Sequence, residues 1–143
     1  MLGIKIICVG RLKEQFYTDA ANEYLKRLRG YCKLEIIELP EKEHAAIEDR
    51  IPAGAVTIAM CIEGREIDSQ GFAEFLMECA GRGSSRLCFI IGGSDGLRDD
   101  IKKGADIQLS MSKMTFPHNL ARVMVLEQLY RAFTIIDGGK YHK

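Results

Sequence analysis

The stretch PHNLARVMVLEQLYRAF, Pro117 to Phe133, constrains this chain more than any other. At 100° per residue, Leu120, Ala121, Val123, Met124, Val125, Leu126, Leu129, Tyr130, Ala132 and Phe133 spread over almost the whole circumference of a helix. Past Asn119 its only charged or amide residues are Arg122, Glu127, Gln128 and Arg131. A helix that is apolar all round is buried all round. In a domain of 143 residues a sheet covers one side, and the simplest cover for the other is a second copy of the chain. The helix therefore predicts a homodimer. Arg122 and Glu127 then need partners or a substrate, because buried charges do not stand alone. Pro117 suits the first helical turn.

The rest of the chain alternates strand and helix signals. Ile4–Val9, Leu34–Leu39, Val56–Ile62, Leu87–Ile91 and Ile107–Leu109 read as strands. Between them, Phe16–Gly30 carries Phe16, Ala20, Tyr24, Leu25 and Leu28 on one stripe, and Ser69 is placed to cap a helix through Ala80. Glu63–Glu66 reads as a turn, 41–51 as a short polar segment, and Arg98–Lys103 as a short helix. This pattern predicts one α/β domain over residues 1–143 with a mainly parallel five-stranded sheet. In such sheets ligands bind at the carboxyl ends of strands. The loops after Val56–Ile62, Leu87–Ile91 and Ile107–Leu109 are expected to converge there. The middle one, Gly92-Gly93-Ser94-Asp95-Gly96, fits no dinucleotide or phosphate-loop pattern, and reads either as a ligand loop or as a tight strand-to-helix turn.

Composition excludes several functions. No run approaches 18 apolar residues, so no membrane span is expected. The start, MLGIKIICVG, reads as a first strand and not as a signal peptide, which places the protein in the cytoplasm. The five cysteines form no CxxC pair and no metal-ligand spacing with histidine, so they read as small buried hydrophobes and no metal is expected. Net charge is zero, but residues 1–33 carry seven Lys/Arg against three Asp/Glu and residues 81–143 carry ten against six. Two basic ends around an acidic middle permit a local positive face. Of the histidines, His44 sits in a polar segment and reads as solvated, His118 starts the apolar helix, and His142 is penultimate.

The segments IKIICVGRLKEQFYTDAANEYLKRL, CKLEIIELPEKE, FIIGGSDGL, LSMSKMTFPHNLARVMVLEQLYRAF and the terminal YHK together resemble the ribosomal RNA large-subunit methyltransferase H family, end to end. SKMTFPH with LEQLYRAF and YHK carries most of that specificity. The resemblance implies a SPOUT fold, a Rossmann-like sheet whose C-terminal part is threaded into a trefoil knot that forms both the dimer interface and the S-adenosylmethionine pocket. It implies N3-methylation of a pseudouridine in the intersubunit-bridge stem-loop of 23S rRNA, on the assembled ribosome. Carried over by position, the cofactor residues are Met60, Gly92 and the run Met111, Ser112, Lys113, Met114, Thr115 and Phe116. Between Pro40 and Val56 the chain is shorter than the family pattern by about fifteen residues, and Met60 stands where leucine is frequent, a volume-conserving exchange.

Methyl transfer from a sulfonium needs an in-line pose and loss of the N3 proton. A base could take that proton, or a cation or donor could stabilise the anionic ring. His142, Arg122, Tyr141 and Lys143 are the candidates, and the Tyr141–Lys143 tail is expected to fold over the cofactor pocket. Two rival functions stay open at this stage. One is a ribosome- or RNA-binding module without catalytic activity; the other is a flavodoxin-like nucleotide or redox protein.

Overall fold

The computed structural model describes residues 1–42, 47–83 and 85–143; His44 lies outside the described residues. Five strands alternate with five helices: β1 (Leu2–Val9), α1 (Gln15–Leu28), β2 (Cys32–Leu39), α2 (Ile47–Arg50), β3 (Val56–Glu66), α3 (Ser69–Gly81), β4 (Arg86–Ile91), α4 (Asp99–Gly104), β5 (Ile107–Ser110) and α5 (His118–Ile136). The strands form one sheet in the order β2-β1-β4-β3-β5, with every neighbouring pair parallel. The α/β class expected from the sequence is the one observed. All strand carboxyl ends consequently lie along one edge.

Helices cover both faces, which explains why Leu87–Ile91 carries no polar alternation. On the larger face Ile6, Cys8, Phe89 and Leu109 meet α1, α3 and α5 through Leu28, Leu76, Leu126 and Leu129. On the other, Ile7, Val9, Cys88 and Ile90 meet Ile47 of α2 and Ile101 of α4.

Helix α5 lies against both α1 and α3, so the chain itself covers much of what the sequence left for a second copy. No residue from His118 to Ile135 is exposed. Leu126 is wholly inside the chain's own core, whereas Leu120, Val123, Met124 and Glu127 are half-buried.

Three local readings change. First, Glu63–Glu66 is not a plain turn. Strand β3 pairs with β5 up to Met60, lifts out over Cys61–Gly64 and re-pairs at Arg65, so that Leu109 faces both Met60 and Arg65. A Cβ on Gly64 would stand 2.7 Å from the Leu109 backbone, so only glycine permits this return. Second, α3 is capped by Asp68, whose Oδ1 accepts from the Gly71 amide at 2.7 Å, while Ser69 donates to Gln128 Oε1 at 2.7 Å. Third, Phe16 is not on the buried stripe of α1: it is 65% exposed, and the buried positions are Ala21 and Leu28.

Candidate functional site

A cleft of about 780 Å³ opens at the carboxyl edge of β3, β4 and β5, within the size range of small-molecule sites. The three expected loops form its walls. Cys61, Ile62 and Glu63 come from the excursion of β3, Gly92–Leu97 from the turn after β4, and Ser110–Ser112 and Met114–His118 from the β5–α5 connection. Of the cofactor residues implied by resemblance, Met60, Gly92, Met111, Ser112, Met114, Thr115 and Phe116 line it. Lys113 is exposed and is not part of the wall. His118 stands on the rim.

Serines hold the β5–α5 loop. The buried Ser110 hydroxyl donates to the Ser112 carbonyl at 2.9 Å and accepts from the Ser112 amide at 3.2 Å; Ser112 Oγ in turn accepts from the Met114 amide at 3.0 Å. These side-chain turns fix a loop without regular structure. Opposite, Lys102 pairs with Glu63 at 2.8 Å, and that hydrogen bond holds the Glu63 carboxyl below its usual range. The apolar side chains Met60, Met111 and Phe116 beside fixed backbone suit a flat base joined to a polar chain.

Gly92 fits the tight-turn reading of its loop. A Cβ there would meet Gly96 C at 2.6 Å and Leu97 N at 2.9 Å, not open cleft. Gly96 itself has φ +76° and donates to the Gly93 carbonyl at 3.0 Å. Gly92 lets this turn close on itself and so shapes the wall. Gly92→Ala is therefore expected to destabilise the fold by about 1–3 kcal/mol, the usual range for overpacking. A urea midpoint unchanged from wild type would show that the turn has room.

The catalytic candidates fall into two places, neither in the cleft wall. Arg122 is 4% exposed. Its Nη1 donates to Glu38 Oε2 at 2.6 Å and its Nη2 to the Gly10 carbonyl at 3.1 Å. Glu38 Oε2 also accepts from the Leu12 amide at 3.2 Å. Arg122 is thus a tie between α5 and the ends of β1 and β2. The tail, by contrast, docks on the outer side of α5. The Tyr141 hydroxyl donates to Glu127 Oε2 at 2.7 Å and its ring meets Tyr130 edge-on at 4.8 Å. His142 Nδ1 lies 3.0 Å from Arg131 Nη1, and Arg131 Nη2 pairs with Glu127 at 2.6 Å. Lys143 is exposed. The tail was expected over the cofactor pocket; on their own chain Tyr141 and His142 instead cover α5 and do not line the cleft.

Chemistry separates the members of this cluster. A guanidinium only donates, so His142 Nδ1 accepts from Arg131 and the neutral ring carries its proton on Nε2. His142 is thereby set up as a donor. Burial and donation to Glu127 raise the Tyr141 phenol well above its ordinary value, so it stays protonated. Burial works to raise Glu127, but hydrogen bonds from Arg131 and Tyr141 outweigh it and hold the carboxylate low. Glu127 and Arg131 are the functional candidates that sequence reasoning underused, although an i,i+4 ion pair on an otherwise apolar helix was their visible signal.

Burial pushes the thiols of Cys8, Cys32, Cys61 and Cys88 up to about 11, which makes poor nucleophiles of them. Among the described residues no group of three or more His, Cys, Asp or Glu is placed to hold a metal, and no helix is long and apolar enough to cross a membrane.

A family model described as "predicted SPOUT methyltransferase" matches residues 2–142. The Clostridium perfringens ribosomal RNA large subunit methyltransferase H 1 is 45% identical over 159 aligned residues, which cover 99% of this chain and 100% of that protein. The ribosomal RNA large subunit methyltransferase H of Caldicellulosiruptor saccharolyticus is 44% identical over 154, covering 98% and 99%. Both alignments are longer than this chain, as a shortened chain requires. Among solved structures, a probable methylase family protein from Haemophilus influenzae Rd KW20 aligns with a TM-score of 0.61 at 15% identity, over 98% of this chain and 70% of that one. The SpoU methyltransferase AviRb from Streptomyces viridochromogenes, in complex with AdoMet, gives 0.50 at 14% identity, over 97% and 59%. These two likenesses concern the fold.

Proposed function

The chain belongs to the SPOUT methyltransferases and, within them, to the ribosomal RNA large subunit methyltransferase H family, and from this we propose that it transfers a methyl group from S-adenosylmethionine to N3 of a pseudouridine in 23S rRNA of the assembled ribosome. That the chain is an S-adenosylmethionine-dependent rRNA methyltransferase follows from its membership. To this we add a trefoil knot, a cytoplasmic location and a homodimer. The observation that carries the reading is the convergence of Met60, Gly92 and the Met111–Phe116 loop on one cleft. Neither rival accounts for that convergence together with full-length identity to named methyltransferases.

The residues present fit the cofactor. Met60, Met111 and Phe116 would hold the adenine, the serine-fixed loop would offer backbone groups to its edge, and the turn after β4 would face the methionine end. When bound, the cofactor supplies an electrophilic methyl group on a sulfonium. The chain supplies position and electrostatics. His142, with Nδ1 engaged by Arg131, presents Nε2–H to a ring oxygen on which charge develops as N3 loses its proton to solvent. Tyr141 and Glu127 keep Arg131 and His142 in register.

A two-fold dimer through the half-buried stripe Leu120, Val123, Met124 and Glu127 reconciles the two places. With the axis across α5, the helices would cross antiparallel, and the tail cluster of each protomer would come to the cleft of the other. Leu120→Asp, at a position outside the monomer core, is expected to yield a folded monomer by light scattering. A monomeric wild type would overturn the dimer.

The enzymatic test uses ribosomes from cells lacking the modification and S-adenosylmethionine labelled in the methyl group. Label is expected at one pseudouridine of 23S rRNA, with one molecule of S-adenosylhomocysteine bound per cleft by calorimetry. Cofactor binding without transfer to any ribosomal RNA would favour the non-catalytic module.

A further inference from the structure

The connection between β1 and α1 leaves the same sheet edge that carries the cleft, and β1 lies next to β4, whose following turn forms one cleft wall. It reads Gly10-Arg11-Leu12-Lys13-Glu14 and runs into Gln15 and Phe16, the first residues of α1. Its stem touches the rim: a Cβ on Gly10 would stand 3.6 Å from His118 Nε2. The stem is also held at three points. The Gly10 amide donates to the Leu39 carbonyl at 2.7 Å, the Gly10 carbonyl accepts from buried Arg122, and the Leu12 amide donates to Glu38.

What this fixed stem presents is unusual. Helical spacing would have put Phe16 inside with Ala20 and Tyr24, yet the ring is 65% exposed and leans only on Tyr17, with centroids 4.5 Å apart. One exposed phenyl explains nothing by itself. Here it follows Arg11 and Lys13 in the chain, both exposed, and among the described residues neither has an ion-pair partner. An exposed ring at the first turn of a helix, reached through a tethered connection that carries two exposed cations, is a combination that binds single-stranded nucleic acid: bases stack on the ring and phosphates meet the cations. Preorganisation lowers the ordering entropy such a contact would otherwise lose.

We propose that Arg11–Phe16 is an RNA contact that sets substrate affinity: the Phe16 ring stacks on an unpaired base near the methylation target, and Arg11 and Lys13 hold the adjoining phosphates. This rests on the reading of the chain as a ribosomal RNA methyltransferase. A second copy of the chain is the competing occupant of the ring, but Arg11 and Lys13 repel their own copies across a symmetric contact and favour phosphate.

The test measures methyl transfer to unmodified ribosomes at varied ribosome and salt concentrations, with calorimetry of S-adenosylhomocysteine and light scattering on the same proteins. Phe16→Ala is expected to raise KM for ribosomes about tenfold or more, with kcat, cofactor affinity and oligomeric state unchanged. Phe16→Trp should stay near wild type, because stacking needs a ring, whereas Phe16→Leu should behave like alanine. The double variant R11A/K13A should flatten the plot of log KM against log salt by about 1.5 units of slope. An unchanged KM in Phe16→Ala, full rescue by leucine, or a change of oligomeric state would overturn the proposal. A wild-type protein that methylates no ribosomal RNA would remove the reading beneath it, and that outcome is distinguished by the wild-type assay alone.

Discussion

Deleting Tyr141, His142 and Lys143 is expected to lower methyl transfer about 10²-fold or more while leaving cofactor affinity nearly unchanged. The tail contributes little core. Its main attachments are one hydrogen bond to Glu127, one ring edge on Tyr130 and one contact from Arg131 to His142. Losing them costs about 1–2 kcal/mol. Glu127 stays paired with Arg131 in the truncated protein, so no charge is left buried alone. Point variants divide the effect. His142→Gln, which keeps an N–H donor, should retain more activity than His142→Ala, because Nδ1 is occupied by Arg131 and the exposed nitrogen donates. Equal loss in both would favour a proton-accepting role instead. Tyr141→Phe should act mainly through Arg131 and Glu127, and no alkaline limb of the rate profile should trace to its phenol, which is held protonated. Glu127 is held below the ordinary carboxylate value, so its share of stability is present at neutral pH. That share is lost as pH falls below about 4 and through the lowered value. Near-normal methylation by the truncated protein would make the tail dispensable and bring the rim residue His118 forward.

The fold was legible because its signals are local and strong. Continuous apolar runs gave the strands, glycine turns closed them, and the parallel order put three loops at one edge where a cleft indeed forms. What sequence could not show were contacts between distant positions. The return of β3 onto Leu109 looks like an ordinary Glu-Gly-Arg-Glu turn until β5 is laid beside it. The ligand-loop and tight-turn readings of Gly92–Gly96 stay level until the Gly96–Leu97 backbone is seen to fill the space beside Gly92. Phe16 obeys helical spacing but lies at the first turn, before α1 reaches its neighbours, so periodicity alone misassigns it. By its sequence the all-apolar helix looks half-uncovered, because its flanking by α1 and α3 on one sheet face is a tertiary fact. Resemblance picked out a loop that lines the cleft, but it does not separate Arg122, which ties the fold, from His142, which lies on the outer side of α5.

That separation yields the second large effect. Arg122→Leu is expected to destabilise the protein by about 3 kcal/mol, at the lower end of the range for breaking a buried pair. The partner left behind is Glu38, whose side chain is 36% exposed and regains some water, while the arginine side chain is only 5% exposed. The lost bonds are not only ionic. The Gly10 carbonyl loses its donor, and Glu38 keeps only the Leu12 amide. The end of β1 and the start of the β1–α1 connection should therefore loosen together, seen as faster amide exchange at Gly10 and Leu12. Arg122→Lys should not rescue, because one ammonium on a flexible stem does not reproduce a planar fork that reaches a carboxylate and a carbonyl at once. Arg122→Leu combined with Glu38→Leu should cost less than the two singles added, the signature of a coupled pair. A catalytic Arg122 makes the opposite pattern: wild-type stability, intact amide protection and lost methyl transfer. Urea unfolding of these four variants beside a single-turnover assay decides between a tie and a catalyst. The geometry, with both terminal guanidinium nitrogens engaged inside the chain and Arg122 absent from the cleft wall, favours the tie.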